Sequence, residues 1–416
     1  MQSKVKKLYA VLMLVSFIFA SVSPVFAAET AEKNFTSGGG NTNFAGGGCT
    51  LYKKDVNYVK GVWFTYMELG NMLSGGDFAA KFTEAAENCK ALGITDIFVH
   101  VRPYCNSLYP SKYFPQIESA KKYNFDVLEY IVSQAHQRGI RVHGWINPYR
   151  VRTADNNISE LPKDSPAYIW LNNDTAADDD NVCVTPTRIW LNPASADVRK
   201  LCFDEIREIL SLYKLDGIHF DDYFYPGKSP VFDKKSYEKY KAAAANPMKL
   251  EDWRRKNVDM LVSGCKRTVK ECNKDVIFSV SPVASNDEAY NICFADVQSW
   301  IKNEWTDWLI PQIYYGYEYP DSERRFGKLM TEWQNKVKGS SVKLIIGLAP
   351  YKIGIARKPD RDEWAKGDEV IFRQVKDCVE NKNIFGHVFF SYSWLFSEKE
   401  LNKSALRKIK KINCRK

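Results

Sequence analysis

Two neighbouring aspartates end a short apolar stretch near the middle of the chain, in the segment DGIHFDDYFYP (residues 216–226). Asp221 and Asp222 follow residues whose composition predicts a buried β-strand, and three aromatic residues come directly after them. Close carboxylates suit acid–base chemistry, because the charge on one raises the pKa of the other until it can hold and donate a proton. Hydrolysis of a glycosidic bond uses such groups, one to protonate the leaving oxygen and one to attack, stabilise or orient at the anomeric carbon. We therefore take this pair as the leading candidate for a catalytic site.

The elements that must position these carboxylates are strands and helices in alternation. Helical patterns, two of which begin at the predicted caps Asp77 and Ser195, separate eight β-branched or aromatic runs. Eight strands alternating with eight helices predict an α/β fold of the (β/α)8 TIM-barrel type, with long loops after strands three and four. A doubly wound open sheet could use the same alternation, but no G-x-G-x-x-G turn follows the first strand. The predicted strands are GVWFTY from Gly61, DIFVHVRPY from Asp96, RVHGWINPY from Arg141, DGIHFDDYF from Asp216, VIFSVSPVA from Val276, DWLIPQIYYG from Asp307, LIIGLAPYK from Leu344 and HVFFSYSW from His387.

A TIM barrel places its active site at the carboxyl ends of its strands, and these ends are polar and aromatic in this chain. Because side chains alternate along a strand, Arg102 and Asn147 are predicted to face the barrel axis together with Asp221. Asp222 has the opposite phase, but it lies where the strand gives way to a loop and can turn into the mouth. Glu68, at the end of the first strand, is a third catalytic candidate. Sugar rings pack their apolar faces on aromatic side chains while their hydroxyls bond to Asn, Gln and Arg. The predicted substrate-binding residues are His100, Arg102, Asn147, Tyr149, Arg150, His219, Tyr223, Gln312, Tyr314, Tyr315 and Tyr351.

Several of these residues also have a purely structural interpretation. Asp222 could cap a helix or a loop, the inward polar residues could form a layer that joins the strands, and each tyrosine could pack in the core. His100, His143 and His219 lie on consecutive strands, but at different depths and without a metal-binding spacing such as H-E-x-x-H. We therefore predict hydrogen-bonded barrel histidines, no metal site and no cofactor.

The amino terminus has the pattern of a secretory signal. Residues 1–27 comprise a basic leader, an apolar run and a small-x-small site with predicted cleavage after Ala27. Residues 28–57, rich in Gly and Asn, are predicted to form a flexible tether, and residues 58–416 the TIM-barrel domain. No later stretch is apolar for long enough to cross a bilayer. The predicted location is the periplasm, the cell envelope or the extracellular space, and the oligomeric state is left open.

Charge and cysteine content bear on the class of partner. The formal charge of +9 falls to +6 when Lys4, Lys6 and Lys7 leave with the signal peptide, which favours anionic surfaces only weakly. No Arg/Lys-dense run or nucleic-acid motif is present, so a nucleic-acid partner is not expected. The ten cysteines are scattered, and most lie in predicted elements where a small buried residue is expected. The expected partner is a polysaccharide substrate.

From residue 60 to residue 395 the chain resembles the bacterial glycosyl hydrolase-like 10 family. The resemblance is carried by GVWFTY, HVRPY, HGWINPYRV, WLNPASADVRK, DGIHFDDYFYP, SVSPVA, PQIYYG and GLAPYKIG. It implies a TIM barrel distantly related to retaining glycosidases and, in at least one member, cleavage of peptidoglycan strands that have lost their stem peptides. At matching positions it implies Asp221 and Asp222 as catalytic residues, with Arg102, Asn147, Tyr149 and Gln312 in the pocket.

Two better-known glycosidase patterns compare differently with the fourth strand. Chitinases read DG-x-D-x-D-x-E there, which would place His219, Asp221 and Tyr223 at the acidic positions, so their mechanism does not carry over whole. In hexosaminidases with adjacent acids, one carboxylate orients the 2-acetamido group of the substrate and the next is the acid/base. By that resemblance Asp221 orients and Asp222 is the acid/base, although the roles could be exchanged.

The predicted function is an exported glycoside hydrolase of N-acetylhexosamine-containing glycan, with peptidoglycan as the expected substrate. One alternative is a glycosidase of another polysaccharide, such as an exopolysaccharide or an α-glucan. A second is a catalytically silent barrel that binds wall glycan, and a third is a metal-dependent deacetylase.

Overall fold

The computed structural model describes residues 58–176, 178–356, 361–365 and 367–413. The predicted signal peptide and tether, residues 1–57, lie outside these described residues. The strands within them are β1 (Val59–Phe64), β2 (Asp96–Arg102), β3 (Arg141–Ile146), β4 (Arg150–Arg152), β5 (Val182–Thr185), β6 (Arg188–Leu191), β7 (Gly217–Phe220), β8 (Ile277–Val280), β9 (Trp308–Leu309), β10 (Lys343–Leu348) and β11 (Gly386–Phe389).

Eight of these strands close into a parallel barrel in the order β1-β11-β10-β9-β8-β7-β3-β2. All eight predicted strands are present, and each pairs in parallel with its neighbours, including β1 with β11 at the closure. Parallel strands with helices on their outer side are buried on both faces, which explains their nearly continuous apolar sequences. The predicted TIM barrel is therefore confirmed.

Helices occupy the connections between the barrel strands. Asp77 and Ser195, the two predicted caps, accept backbone N–H hydrogen bonds at the starts of their helices, and Asp126, which was not predicted as a cap, does the same. Within the described part of the chain, no helix combines the length and the apolar character needed to cross a bilayer. The α-helices are α1 (Tyr66–Ser74), α2 (Phe78–Ala91), α3 (Glu118–Lys121), α4 (Val127–His136), α5 (Pro166–Asn172), α6 (Ala196–Leu212), α7 (Lys234–Ala243), α8 (Leu250–Cys272), α9 (Asn286–Asn291), α10 (Val297–Lys302), α11 (Phe326–Val337), α12 (Arg361–Ala365), α13 (Glu369–Glu380), α14 (Tyr392–Leu395) and α15 (Glu400–Asn413). Short 3-10 turns cover Ile158–Glu160, Asp179–Asn181, Ser322–Arg324 and Pro350–Lys352.

The long connection between β3 and α6 contains a second, antiparallel sheet in the order β4-β6-β5. Its strands were not among the predicted ones, because they are only three or four residues long and because the pairing of β4 with β6 joins residues that lie far apart in sequence. Trp190 of β6 donates its indole N–H to the carbonyl oxygen of Phe224 at 2.9 Å. This bond attaches the small sheet to the segment that follows β7, where the two aspartates lie.

Side chains alternate between two apolar layers, one inside the barrel and one between the barrel and its helices. On β2 the outer layer takes Val99 and Val101, and on β7 it takes Ile218 and Phe220, as the phase predicted. The predicted buried cysteines Cys89, Cys202, Cys265 and Cys378 are free, buried thiols. The inner layer consists of Val59, Trp63, Phe98, Trp145, Trp308, Ile310, Ile345 and Val388. The barrel is thus filled below its mouth, so polar groups at the strand ends lie above a packed floor.

Candidate active site at the mouth of the barrel

Asp221 lies at the carboxyl end of β7 and is only 4% exposed. Its Oδ2 accepts hydrogen bonds from Asn147 Nδ2 at 2.5 Å and Trp145 Nε1 at 3.2 Å, and its Oδ1 accepts from the Tyr223 backbone N–H at 3.1 Å. Burial raises the pKa of this carboxyl to about 6, while the charge of Arg150 and the three donors oppose that rise. The surroundings of Asp221 therefore support its ionised form.

Asp222 is half-buried beside Asp221 and has fewer donors. Gln312 Nε2 donates to its Oδ1 at 3.2 Å and also to the carbonyl oxygen of Ser281 at 3.0 Å. Burial and then the charge of Asp221 raise the pKa of Asp222 to about 7. Between pH 6 and pH 7 the two coupled carboxyls therefore hold about one proton between them. The unequal number of donors places most of that proton on Asp222.

Asn147, at the end of β3, is held in one orientation by two donors. Its Oδ1 accepts from His100 Nε2 at 2.7 Å and from Arg150 Nη1 at 3.1 Å, which leaves the Nδ2 group to donate to Asp221. Burial lowers the pKa of His100 well below its usual value, so the imidazole is neutral, and its ring stacks on Trp145 at 3.7 Å. Asn147 is thus a positioned donor to the pair, which agrees with the predicted place of His100 and Asn147 at the mouth.

Arg150 forms one wall of the mouth together with tyrosine rings. Its guanidinium lies 4.5 Å from the ring centroid of Tyr104 and 4.7 Å from that of Tyr223, and Nη2 donates to the Tyr104 hydroxyl at 3.0 Å. The Tyr66 ring meets the rings of Tyr104 and His100 edge to face at 5.3 and 5.5 Å. Rings that surround a guanidinium keep water from it, so its charge acts strongly on the nearby carboxyls.

A second wall is aromatic and consists of residues that follow β9, β10 and β11, on the side of β7 away from β3. The Tyr314 ring lies 6.0 Å from the Tyr351 ring at 88° and 5.8 Å from Phe390. Burial raises the pKa of Tyr314 well above its usual value, and the charges of Tyr351 and Asp222 add to that rise, which places Tyr314 beside the pair. Trp394 follows at 6.5 Å from Tyr351 and is 37% exposed. Gln312, Tyr314 and Tyr351 thus occupy the predicted mouth.

The predicted axial direction of Arg102 is wrong. Arg102 Nε donates to Glu205 Oε1 of α6 at 2.6 Å, and both side chains are fully buried. The pairing of β2 with β3 shifts between His100 and Arg102, so the alternation that holds up to His100 fails one step later. Arg102 therefore joins the barrel to α6 instead of lining the mouth, although its Nη1 also donates to the carbonyl oxygen of Asn147 at 2.7 Å.

Two of the predicted tyrosines lie outside the mouth. Tyr149 is fully buried in the outer apolar layer near Cys202 of α6, because the chain leaves the barrel at Pro148 to enter β4. Tyr315 has the phase opposite to Tyr314, and its hydroxyl accepts a hydrogen bond from Arg324 Nη1 at 2.9 Å. Both residues support the walls of the site from behind.

Glu68 is engaged as a structural carboxylate. Its Oε2 accepts from the backbone N–H and the hydroxyl of Thr65 at 2.7 and 2.9 Å, which forms a capping box at the start of α1. Its Oε1 accepts from the Ser391 hydroxyl and from the N–H and hydroxyl of Ser393 at 2.5 to 2.7 Å. Glu68 therefore connects the ends of β1 and β11, and among the described residues no hydrogen bond or ion pair joins it to Asp221 or Asp222.

The inward histidines are hydrogen-bonded at different depths, as predicted. His219 Nε2 accepts from Trp63 Nε1 at 3.1 Å, and its Nδ1 donates to the Ser279 hydroxyl at 2.8 Å. His143 bonds through Nε2 to Asp96 Oδ1 at 2.8 Å near the floor. His219 lies fully buried among the inner rings below the pair, which makes it part of the floor rather than a group that contacts substrate.

Two aromatic residues near the mouth, Tyr66 and Trp394, were not predicted as site residues. Tyr66 follows the end of β1, and Trp394 follows the end of β11. Tyr314 and Tyr351 were predicted because they have the same kind of position, just after a barrel strand. That rule also marks Tyr149 and Tyr315, which pack elsewhere, so strand-end position alone does not separate wall residues from supporting residues.

Comparison with known proteins agrees with this geometry. The sequence profile of the family described as "Glycosyl hydrolase-like 10" matches residues 58–366. The chain is 32% identical over 308 residues to "Glycosyl hydrolase DigH" of Escherichia coli (strain K12), which covers 68% of this chain and 68% of that protein. It is 29% identical over 350 residues to "Glycosyl hydrolase YngK" of Bacillus subtilis (strain 168). That match covers 78% of this chain and 64% of the relative, so about a third of each relative's length lies outside the match.

Solved structures resemble the barrel in fold. The "PgaB (BpsB) glycoside hydrolase domain from Bordetella bronchiseptica" superimposes with a TM-score of 0.57 at 13% identity, covering 85% of this chain and 99% of that domain. The catalytic domain of the β-amylase of Paenibacillus polymyxa gives a TM-score of 0.54 at 10% identity, with coverages of 86% and 99%. At such low identity the likeness concerns the TIM-barrel fold and not the substrate.

Proposed function

The chain belongs to the glycosyl hydrolase-like 10 family of glycoside hydrolases, and from this membership we propose that it cleaves glycan strands that contain N-acetylhexosamine. The observation that carries the proposal is the adjacent pair Asp221 and Asp222 at the barrel mouth, with unlike surroundings and pKa values of about 6 and about 7. Acid-assisted cleavage of a glycoside requires one group that keeps a proton near neutral pH and a neighbouring group that stays ionised.

The roles of the two carboxyls follow from their hydrogen bonds. Asp222 has the higher pKa and the freer side chain, so it is the general acid that gives its proton to the leaving glycosidic oxygen. Asp221 stays ionised and accepts the N–H of the substrate's 2-acetamido group, which turns the acetamido oxygen towards the anomeric carbon. That oxygen then forms the bond to the anomeric carbon as the glycosidic bond breaks. Asp222, now ionised, takes a proton from the water that opens the cyclic intermediate.

The walls suit a sugar polymer. Tyr314, Tyr351 and Trp394 offer ring faces on one side of the pair, and Tyr223 on the other, for the apolar faces of sugar rings. Gln312 offers an amide group for hydroxyls, while the buried Asn147 positions Asp221. Of the N-acetylhexosamine polymers, peptidoglycan is the substrate we propose, and the secretory signal pattern of residues 1–27 supports this choice because it favours a location outside the cytoplasm.

The test uses protein without residues 1–27 and two substrates, peptide-free peptidoglycan strands and chitooligosaccharides, with new reducing ends and product masses as the readout. Asp222→Asn is expected to lower kcat by about 10²–10⁴-fold, the usual contribution of a general acid. Asp221→Asn should lower it as well, because the amide cannot stabilise a developing positive charge. Asp259→Asn is the matched control: burial also raises the pKa of Asp259 to about 6, but it bonds to Trp300 on the helix side of the barrel.

The outcomes separate the alternatives. Cleavage by the wild type and the control, lost in both pair variants, supports the proposal. Cleavage of an α-glucan with no action on N-acetylated strands would contradict the acetamido mechanism. Binding of strands without cleavage, unchanged in Asp221→Asn, would instead indicate a silent glycan-binding barrel.

A further inference from the structure

Arg188 is the first residue of β6, in the small sheet that is hydrogen-bonded to the segment after β7. Along a strand, residues two apart share a face, so Arg188 lies on the same face as Trp190. The Trp190 ring lies 6.4 Å from the Tyr223 ring, and its indole N–H bonds to the Phe224 carbonyl. That face of β6 is therefore directed at the residues that follow the catalytic pair.

Tyr223 lies near both Arg188 and the pair. Tyr223 is close enough to Arg188 to influence its pKa, and Asp222 and Asp221 in turn contribute to the rise in the pKa of Tyr223 that burial dominates, so the neutral phenol is a neighbour of both Arg188 and the pair. Through its strand neighbour Trp190 and through Tyr223, Arg188 is thus linked to the segment that carries the reacting carboxyls.

The guanidinium of Arg188 differs from the other arginines whose side chains the structure describes. It is half-buried, and within the described residues it has no hydrogen bond, ion pair or ring contact. Burial lowers its pKa from the usual value, but an arginine stays charged at neutral pH. For comparison, Arg152 on the adjacent strand is paired with Asp155, and Arg150 bonds to Asn147 and Tyr104. A half-buried cation without an anion costs stability, and a substrate anion would remove that cost.

We propose that Arg188 binds a carboxylate carried by the glycan, and that the enzyme is therefore selective for acidic over neutral N-acetylhexosamine polymers. The inference rests on the proposed function and specifies its substrate class. Peptidoglycan strands without stem peptides carry a free lactyl carboxylate on every second sugar, whereas chitin carries none. A guanidinium binds such a carboxylate through two parallel N–H···O bonds, which suits recognition of a planar acid.

The contact between the Arg188 guanidinium and the glycan carboxylate forms in the ground state and persists in the transition state. Its loss should therefore affect KM more than kcat. For the wild type, conversion of the strand carboxylates to neutral methylamides should raise KM about tenfold. Arg188→Gln should raise KM about tenfold on the untreated strands and leave KM on the methylamide strands unchanged. Arg188→Lys, which retains the charge, should recover part of the difference, and the matched control Arg152→Gln should behave as the wild type on both substrates.

A second readout keeps this inference separate from the proposed function. Binding of the same two strands to the Asp222→Asn variant, with and without Arg188→Gln, measures the carboxylate preference without cleavage. If the wild type cleaves neither strand but the preference for charged strands depends on Arg188, the proposed hydrolysis fails and the carboxylate site stands. Equal losses on charged and neutral strands, no effect of Arg188→Gln, or no binding to either strand would overturn the carboxylate site.

Discussion

The pH dependence of cleavage tests the coupling between Arg150 and the aspartate pair. If the active form has Asp221 ionised and Asp222 protonated, kcat/KM follows a bell with limbs near the two pKa values of about 6 and about 7. At the optimum, near pH 6.5, about 60% of the pair is singly protonated, and the active fraction falls about 20-fold by pH 4.5 or pH 8.5.

Arg150→Gln is the perturbation, because Arg150 lowers the pKa of both carboxyls while Gln can still donate to Asn147. Loss of a charge this close should raise both pKa values by about one unit, which corresponds to about 1.4 kcal/mol. The optimum then moves to near pH 7.5. The ratio of kcat/KM at pH 8.5 to that at pH 5.5 rises about 60-fold, and this ratio is independent of any general loss of activity.

The assay is release of reducing ends from peptide-free strands between pH 4 and pH 9 at constant ionic strength. Arg152→Gln, which removes a cation on the same strand that is paired with Asp155, should leave the ratio unchanged. An unchanged ratio in Arg150→Gln, or a wild-type profile that stays flat to pH 9, would refute the assignment of the two limbs to this pair.

Three further variants test the surrounding structure. The folded-state pKa of Asp222 lies above its unfolded value of 3.8, so the charged form destabilises the fold as the pH rises from 4 to 7. Asp222→Asn should therefore raise the free energy of unfolding, measured by urea melts, by up to about 4 kcal/mol at pH 8 and should give no gain at pH 4. Glu68→Gln should lower the free energy of unfolding by about 2 kcal/mol, because it weakens the hydrogen bonds to Ser391 and Ser393, while kcat of the folded protein is retained. A large loss of kcat would instead show a chemical role for Glu68. Glu205→Gln leaves Arg102 as a buried, unpaired charge and should cost about 3–5 kcal/mol; a near-neutral effect would contradict the burial of this pair.

The accuracy of the sequence predictions followed the range of the interactions involved. The strands, the helix caps at Asp77 and Ser195 and the inward direction of Asp221 depend on nearest-neighbour periodicity, and they were predicted. Arg102 was not, because a register shift between β2 and β3 is a property of two strands and leaves no trace in the sequence of either. The sheet β4-β6-β5 was missed because its strands are very short and β4 pairs with a distant part of the chain, and the position of Arg188 was missed with it.

The sequence by itself determined that eight strand–helix units close into a barrel and that a pair of carboxylates ends the fourth of its barrel strands, since both depend on local alternation and order along the chain. Tertiary structure alone decided how the two neighbours differ. Asp221 and Asp222 are identical in type and adjacent, and their difference comes from donors on other strands, with Asn147 and Trp145 on one carboxyl and Gln312 on the other. A carboxyl's pKa depends on burial and on charges and donors brought close by the fold, and these are distances in space that residue order does not contain.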